Sequence, residues 1–276
     1  MPLTATGQLV DQAQANGTAI AAFNVITLEH AEAIVAGAER AGRAVILQIS
    51  ENAVRFHHGR LAPIAAATTA VAELAAVPVA VHLDHVESRD LLHAVRGTGI
   101  SSAMFDASTL DYAGNVAATA EAADWAHEHG LWLEAELGEV GGKDGAHAPG
   151  VRTDPAEAVE FVAATGVDAL AVAVGSSHAM TDRTATLDLD LIVRLREALA
   201  VPLVLHGSSG VPDDDLTRAV RAGIVKVNVG TILNVAFTDA VRAQLDAGPV
   251  VDPRRYLAPA REAVAGTVAH LVTTIS

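Results

Sequence analysis

Three histidines and a set of carboxylates carry most of the chemical potential of this sequence. His85, His178 and His206 lie far apart in the chain, yet each closes or follows a short run of apolar, β-branched residues. Asp84 adjoins the first of them, and Asp106 and Glu136 follow or close two further runs of the same kind. Three neutral imidazoles with an open fourth position form the ligand set of a catalytic zinc ion. Carboxylates beside such an ion can move protons. The chain has no cysteine, so thiolate ligation and disulfides are excluded and any transition metal must be held by His and carboxylate. A single His at a strand end is more often a hydrogen-bonded structural residue; the set of three is what points to metal.

A second pair of segments suits an anion. Leu205-His206-Gly207-Ser208-Ser209-Gly210 and Asn228-Val229-Gly230-Thr231 offer backbone N–H groups and hydroxyls, the second at the start of a helical pattern. Either alone reads as an ordinary glycine turn. Following the last two of eight strands, they occupy the usual phosphate position of a (β/α)8 barrel.

These residues need elements to position them. Candidate strands fall at residues 19–24, 45–49, 79–83, 102–105, 132–137, 169–174, 203–206 and 225–229. Helix-period segments lie between them. Leu28, Ala31, Ile34, Val35 and Ala38 share one helical face, with Gly42 as a stop. Asp154, Pro155 and Glu157 give an N-cap, a proline at the first helical position and a capping-box acid. After Pro212, Asp213, Asp214 and Asp215 put three carboxylates in a first helical turn, and Gly223 ends that helix.

Eight strand–helix repeats predict an α/β fold, a closed (β/α)8 TIM barrel formed by residues 1–276 as one domain. An open doubly wound sheet is the rival, but no glycine-rich dinucleotide fingerprint follows the first strand, which reads Phe23-Asn24-Val25-Ile26-Thr27. In a barrel, Asn24, Ser50, Asp84, His85, Asp106, Glu136, His178, His206 and Asn228 converge on one rim. Residues 138–153, with five glycines and Pro149, form the most irregular segment and suit a lid.

Composition bounds the partners. Over half of the 276 residues are apolar (51%) and only 3% are aromatic, which favours an aliphatic core. A net charge of −15 argues against nucleic acid and anionic membrane, though not against a small anion held by backbone N–H groups. The first basic residue is Arg40, so no charged signal-peptide start is visible. The longest apolar stretch, residues 62–81, is interrupted by Pro63, Thr68, Thr69, Glu73 and Pro78. A soluble cytoplasmic protein is expected.

Read in order, the motifs are specific. They are Ala22-Phe23-Asn24, His82-Leu83-Asp84-His85, Met104-Phe105-Asp106-Ala107-Ser108, Glu134-Ala135-Glu136-Leu137-Gly138 and Gly141-Gly142. They continue with Ala173-Val174-Gly175-Ser176-Ser177-His178, the His206 and Asn228 segments above, and Asp252-Pro253-Arg254. Over residues 23–257 the chain resembles the class II fructose-bisphosphate and tagatose-bisphosphate aldolases.

The resemblance implies Zn2+ on His85, His178 and His206, with Asp106 and Glu136 lining a second cation position. It makes Asp84 the group that exchanges a proton with the hydroxyl next to the breaking bond. It places one phosphate, often with a monovalent cation (Na+ or K+), among Gly175, Ala179, Gly207, Ser208, Ser209, Asn228, Val229, Gly230 and Thr231. Ser50 and Arg254 would grip the distal phosphate, Arg254 from a neighbouring subunit, and a homodimer or homotetramer is expected. Relatives often carry glycine where this chain has Ala179, and usually Glu where it has Asp144, the loop acid expected to reprotonate the enediolate.

Two other readings stay open at this stage. A Schiff-base aldolase would use Lys226, one of two lysines, if it points into the barrel and is not paired with Glu136 or Asp106. A sugar-phosphate-binding relative without chemistry would keep the same residues. Fructose 1,6-bisphosphate, tagatose 1,6-bisphosphate and a deoxy-keto-gluconate phosphate are the candidate substrates.

Overall fold

Alternation along the strands decides the architecture. The computed structural model describes residues 2–137 and 152–276. Among these, eight strands run β1 (Ile20–Asn24), β2 (Val45–Ser50), β3 (Val79–Val86), β4 (Ser102–Phe105), β5 (Trp132–Leu137), β6 (Ala169–Val172), β7 (Leu203–Leu205) and β8 (Ile224–Val229). They pair in chain order, all parallel, and β8 closes on β1. The result is the expected (β/α)8 barrel.

The helices are α1 (Thr6–Ala15), α2 (Leu28–Ala41), α3 (Glu51–Phe56), α4 (Leu61–Leu74), α5 (Arg89–His93) and α6 (Tyr112–Glu128). In the second described stretch come α7 (Pro155–Thr165), α8 (Leu189–Ala198), α9 (Asp213–Ala222), α10 (Thr231–Asp246) and α11 (Arg254–Thr274). Their ends follow the sequence signals. Gly42 closes α2 in the left-handed region at φ 62°, and its N–H bonds the Ala38 and Glu39 carbonyls. The Asp154 carboxylate accepts the N–H groups of Ala156 and Glu157, with Pro155 opening α7.

Side-chain parity sorts two cores. The odd-numbered Ala21, Phe23, Val45, Leu47, Val79 and Val81 face outward and pack beneath the helices. The even-numbered Ile20, Ala22, Ile46 and Ala80 face inward at the strand starts, where Leu9, Val10 and Ala13 of α1 cover them. Helix α1 is pinned there: the Thr6 N–H donates to Ser101 Oγ at 3.0 Å, and Ser102 Oγ donates to Thr6 Oγ1 at 2.6 Å. The bottom of the barrel is therefore plugged by apolar packing. Above it the interior turns polar, with buried Gln48, His82, Asp84, Glu134, Glu136, Lys226 and Asn228. Buried polar groups require partners: Gln48 and Asn228 bond Asp84, Lys226 bonds Glu134 and Asn228, and His82 bonds Ser102.

The structure adjusts two expectations. Strands β6 and β7 stop at Val172 and Leu205, so Ala173, Val174 and His206 lie in loops rather than at strand ends. Strand β3 runs on to Val86 through an irregularity. The lid expected at residues 138–153 lies, apart from Arg152 and Thr153, outside the described residues, and with it Asp144, Gly141 and Gly142.

Candidate active site

The rim of the barrel brings the three histidines together. His85 and His206 have ring centroids 4.8 Å apart, His85 and His178 5.2 Å, and His178 and His206 5.5 Å. The rings stand nearly perpendicular to one another, at 74–87°. One ligand nitrogen from each lies within 4.8 Å of the others. Rings packed for apolar contact have no reason to aim nitrogens at one point; rings that share an ion do.

His85 reaches this point through a bulge. The β3–β4 register shifts between Leu83 and Val86, and His85 sits at φ 50°. A left-handed non-glycine residue costs about 1–3 kcal/mol. The bulge breaks the alternation that would turn Asp84 and His85 to opposite faces, so both neighbours line the same cavity. Ala179, directly after His178, is also left-handed at φ 59°. Glycine would adopt this conformation without strain, so the alanine here holds a costly one.

The outer partners choose which nitrogen each ring presents. His85 Nδ1 is 2.9 Å from Asp106 Oδ2, which leaves Nε2 for the site. Asp106 is itself held by the Ser108 N–H and hydroxyl. His206 Nε2 lies 2.9 Å from Glu134 Oε1 and 3.0 Å from Asn228 Nδ2. It cannot donate to the first and accept from the second at once. The bond to the carboxylate is charge-assisted and wins. Nε2 then carries the proton, and Nδ1, 3.5 Å from Glu136 Oε2, faces the site. Asp106 and Glu136 thus each lie against one imidazole, outside the three-histidine group.

Glu134 is fixed in turn by Lys226, whose Nζ lies 2.7 Å from Glu134 Oε2 and donates to Asn228 Oδ1 at 2.8 Å. Lys226 does point inward, as its parity with Asn228 predicts. Its carboxylate partner is Glu134, which corrects the sequence pairing with Glu136 or Asp106. The reason is level: Lys226 and Glu134 sit one inward step deeper than Asn228 and Glu136. A lysine locked between a carboxylate and an amide oxygen is poorly disposed to act as an amine nucleophile.

Asp84 lies 3.9 Å from His85 Nε2 and is 2% exposed. Gln48 Nε2 donates to its Oδ2 at 3.3 Å, and Asn228 Nδ2 to its Oδ1 at 3.5 Å. Beneath it, His82 Nε2 is 3.8 Å away. Burial first, then the Lys226 charge, pushes the His82 imidazole well below its ordinary value, so it stays neutral under Asp84. Gln48 also donates to Asn24 Oδ1.

A cavity of about 470 Å³ opens above these groups. Of the predicted residues, Asn24, Ser50, Asp84, His85, His178, Ala179, Gly207, Asn228 and Thr231 line it; fully buried His206 lies behind. The serines of the anion turns have other work. Ser208 Oγ donates to the Asn228 carbonyl, and Ser209 Oγ accepts the Ile232 N–H at 3.2 Å. Ser176 Oγ donates to the His206 carbonyl at 2.6 Å. Ser176 and Ser208 spend their hydroxyl protons on carbonyls, whereas Ser209, an acceptor here, keeps its O–H for an anion beside the backbone N–H groups. Gly207 is obligatory here: it has φ 66°, and a Cβ would meet Ser177 backbone atoms at 2.5 Å.

Gly175, Val229, Gly230 and Arg254 do not line the cavity. Gly175 packs on Thr186, Gly230 on Asn24, and Arg254 is exposed and paired with Asp252 at 2.7 Å. Sequence reasoning missed Gln48, Glu51, Asn52, Arg55 and Glu87, which do line it. Strand parity with Asn24 and Asp84 was the signal that could have found Gln48.

Comparisons agree with this geometry. The family described as "Fructose-bisphosphate aldolase class-II" matches residues 4–276, wider than the motif-bearing residues 23–257. A probable fructose-bisphosphate aldolase of Bacillus subtilis is 39% identical over 272 residues, 97% of this chain and 95% of its own length. A fructose-bisphosphate aldolase of Staphylococcus aureus is 38% identical over the same shares. Among solved structures, the YdjI aldolase of Escherichia coli K12 superimposes with a TM-score of 0.86 at 33% identity, covering 99% of this chain and 97% of that one. The chain belongs to the class II fructose-bisphosphate aldolase family and is a carbon–carbon lyase.

Proposed function

We propose that the protein catalyses reversible, metal-dependent aldol cleavage of a ketose 1,6-bisphosphate, fructose or tagatose, to dihydroxyacetone phosphate and an aldehyde. The observation that carries this reading is the convergence of three perpendicular imidazoles beside one buried carboxylate at the floor of an open, polar cavity. The donor set fits a divalent ion: His85 would offer Nε2 and His206 Nδ1, because their other nitrogens are engaged by Asp106 and Glu134. When bound, zinc there supplies Lewis-acid stabilisation of the charge that develops as the carbon–carbon bond breaks.

The chain's own residues do the rest. Asp84, held by Gln48 and Asn228, takes the proton of the hydroxyl on the carbon that becomes the aldehyde. Backbone N–H groups at Gly207 and from Asn228 to Thr231, with the Ser209 hydroxyl, hold the phosphate next to the ketone, while Ser208 spends its hydroxyl proton on the Asn228 carbonyl. Asp144, outside the described residues, is assigned to the proton at C3 of dihydroxyacetone phosphate. A monovalent cation at the phosphate, a second cation near Asp106 and Glu136, Arg254 reaching a neighbouring subunit in a homodimer or homotetramer, residues 1–276 acting as one domain, and a cytoplasmic location belong to the same proposal. Among the described residues no helix is long and apolar enough to cross a membrane.

A substrate panel with coupled detection of dihydroxyacetone phosphate tests the reading. Fructose or tagatose 1,6-bisphosphate should be cleaved and chelation should stop it. Cleavage of neither, with tight binding of both, would instead favour a non-catalytic sugar-phosphate binder.

A further inference from the structure

The mouth of the cavity carries a charged group that this scheme leaves unused. Glu51 and Arg55 stand one turn apart on α3, and Glu87 follows β3; all three line the cavity. Arg55 Nη2 lies 2.6 Å from Glu51 Oε1 and 3.4 Å from Glu87 Oε2, and Nη1 donates to Asn52 Oδ1 at 3.2 Å. The Glu51 side chain is 11% exposed, and its second oxygen accepts the Glu87 N–H at 2.8 Å. Backbone therefore fixes Glu51, and Glu51 fixes Arg55. The guanidinium is still open to the mouth, with 56% of the Arg55 side chain exposed.

Charge makes this arrangement selective. Among the described residues that line the cavity, Arg55 is the one permanent cation, against the carboxylates Glu51, Asp84 and Glu87. A substrate with a second anionic group meets the carboxylates of Glu51 and Glu87 at the mouth, and Arg55 is the cationic partner there. Other candidates in the same chain bring no charge to the cavity: Ser50, whose oxygen accepts the Ala53 N–H at 3.1 Å, keeps only a neutral O–H to donate, and Arg254 pairs with Asp252 and does not line the cavity. The long, half-exposed contact to Glu87 is weak, so an incoming oxyanion can replace it while Glu51 keeps its hold.

We propose that Arg55 is the specificity-determining residue that receives the anionic terminus of the substrate, with Glu51 as its positioning residue and Glu87 as the partner the ligand displaces. This inference rests on the aldolase reading and adds how the enzyme selects the far end of its substrate. The ligand class is a terminal oxyanion, phosphate or carboxylate, since a planar guanidinium fork suits both.

The test uses zinc-loaded enzyme condensing dihydroxyacetone phosphate with three aldehydes: D-glyceraldehyde 3-phosphate, D-glyceraldehyde and succinic semialdehyde. The wild type should favour one charged aldehyde over the neutral one, the phosphorylated one if phosphate is the natural terminus, the semialdehyde if carboxylate is. Arg55→Ala should cut kcat/KM for that aldehyde by about 10- to 100-fold, mostly through KM, and so collapse the preference. Arg55→Lys, which keeps the charge without the fork, should recover only part. Equal losses on all three aldehydes, no loss on any, or a wild type without preference would overturn the inference. Failure of the wild type to condense any aldehyde, or to exchange a C3 proton of dihydroxyacetone phosphate, would overturn the aldolase reading beneath it.

Discussion

Glu134→Gln probes how the barrel interior prepares the proposed metal site. The substitution keeps the shape and an oxygen for Lys226, now 2.7 Å from a carboxylate, but removes the charge. Breaking a buried ion pair typically costs 3–5 kcal/mol. Lys226 keeps the Asn228 oxygen at 2.8 Å and gains an amide oxygen, so the low end, about 3 kcal/mol, applies. The second effect is on His206. With the amide oxygen turned to Lys226, the amide N–H₂ faces Nε2, which must then accept, and the ring proton moves to Nδ1, the nitrogen meant for metal. Loss of such an orienting partner typically weakens metal binding 10- to 100-fold. Urea unfolding of chelated protein reads the first effect, and zinc titration against a chromophoric chelator reads the second. Wild-type zinc affinity in Glu134→Gln would refute the tautomer argument, even if stability falls as expected.

Other perturbations separate the remaining roles. Asp84→Ala should lower cleavage by about 10²- to 10⁴-fold yet still exchange a C3 proton of dihydroxyacetone phosphate, whereas Asp144→Ala should slow both; wild-type exchange in Asp144→Ala would remove the loop acid from the scheme. Gly207→Ala forces a Cβ to 2.5 Å from the Ser177 backbone and should raise KM for dihydroxyacetone phosphate, an unchanged KM placing the phosphate elsewhere. Burial lowers the His30 pKa, outweighing Glu29 and Asn234, and the ring stacks on Phe237 at 4.8 Å. The unfolded chain therefore binds a proton below about pH 6.5 that the folded chain refuses. Stability from this group is full above that pH and declines as pH falls below it. Denaturant unfolding between pH 7.5 and 5.5 should show a decline that His30→Phe flattens; equal slopes would contradict the assignment.

Much of the barrel was legible because its signals are local. Alternating strands, the Asp154 cap and the Gly42 stop act through neighbouring residues, and each appears where its residues predict. The histidine set was legible because a barrel gathers strand ends whatever lies between. What escaped depends on closure. The bulge that turns His85 inward arises from register between β3 and β4, which periodicity cannot express. Lys226 meets Glu134 because of the level each reaches inside the closed barrel, 92 residues apart in sequence. Ser208 looks like an anion donor until the Asn228 carbonyl claims its hydroxyl proton. Arg55 sits on a short helix whose place at the mouth follows from how β2 ends.

The central claim is that the ion held by His85, His178 and His206 is required for carbon–carbon cleavage. The most direct measurement pairs metal analysis with turnover of fructose and tagatose 1,6-bisphosphate, for the wild type and His206→Ala, before chelation, after it and after zinc is restored. The account predicts about one zinc per wild-type chain, activity lost on chelation and regained with zinc, and neither metal nor activity in His206→Ala. Full turnover after exhaustive chelation, with borohydride trapping substrate on Lys226, would contradict it.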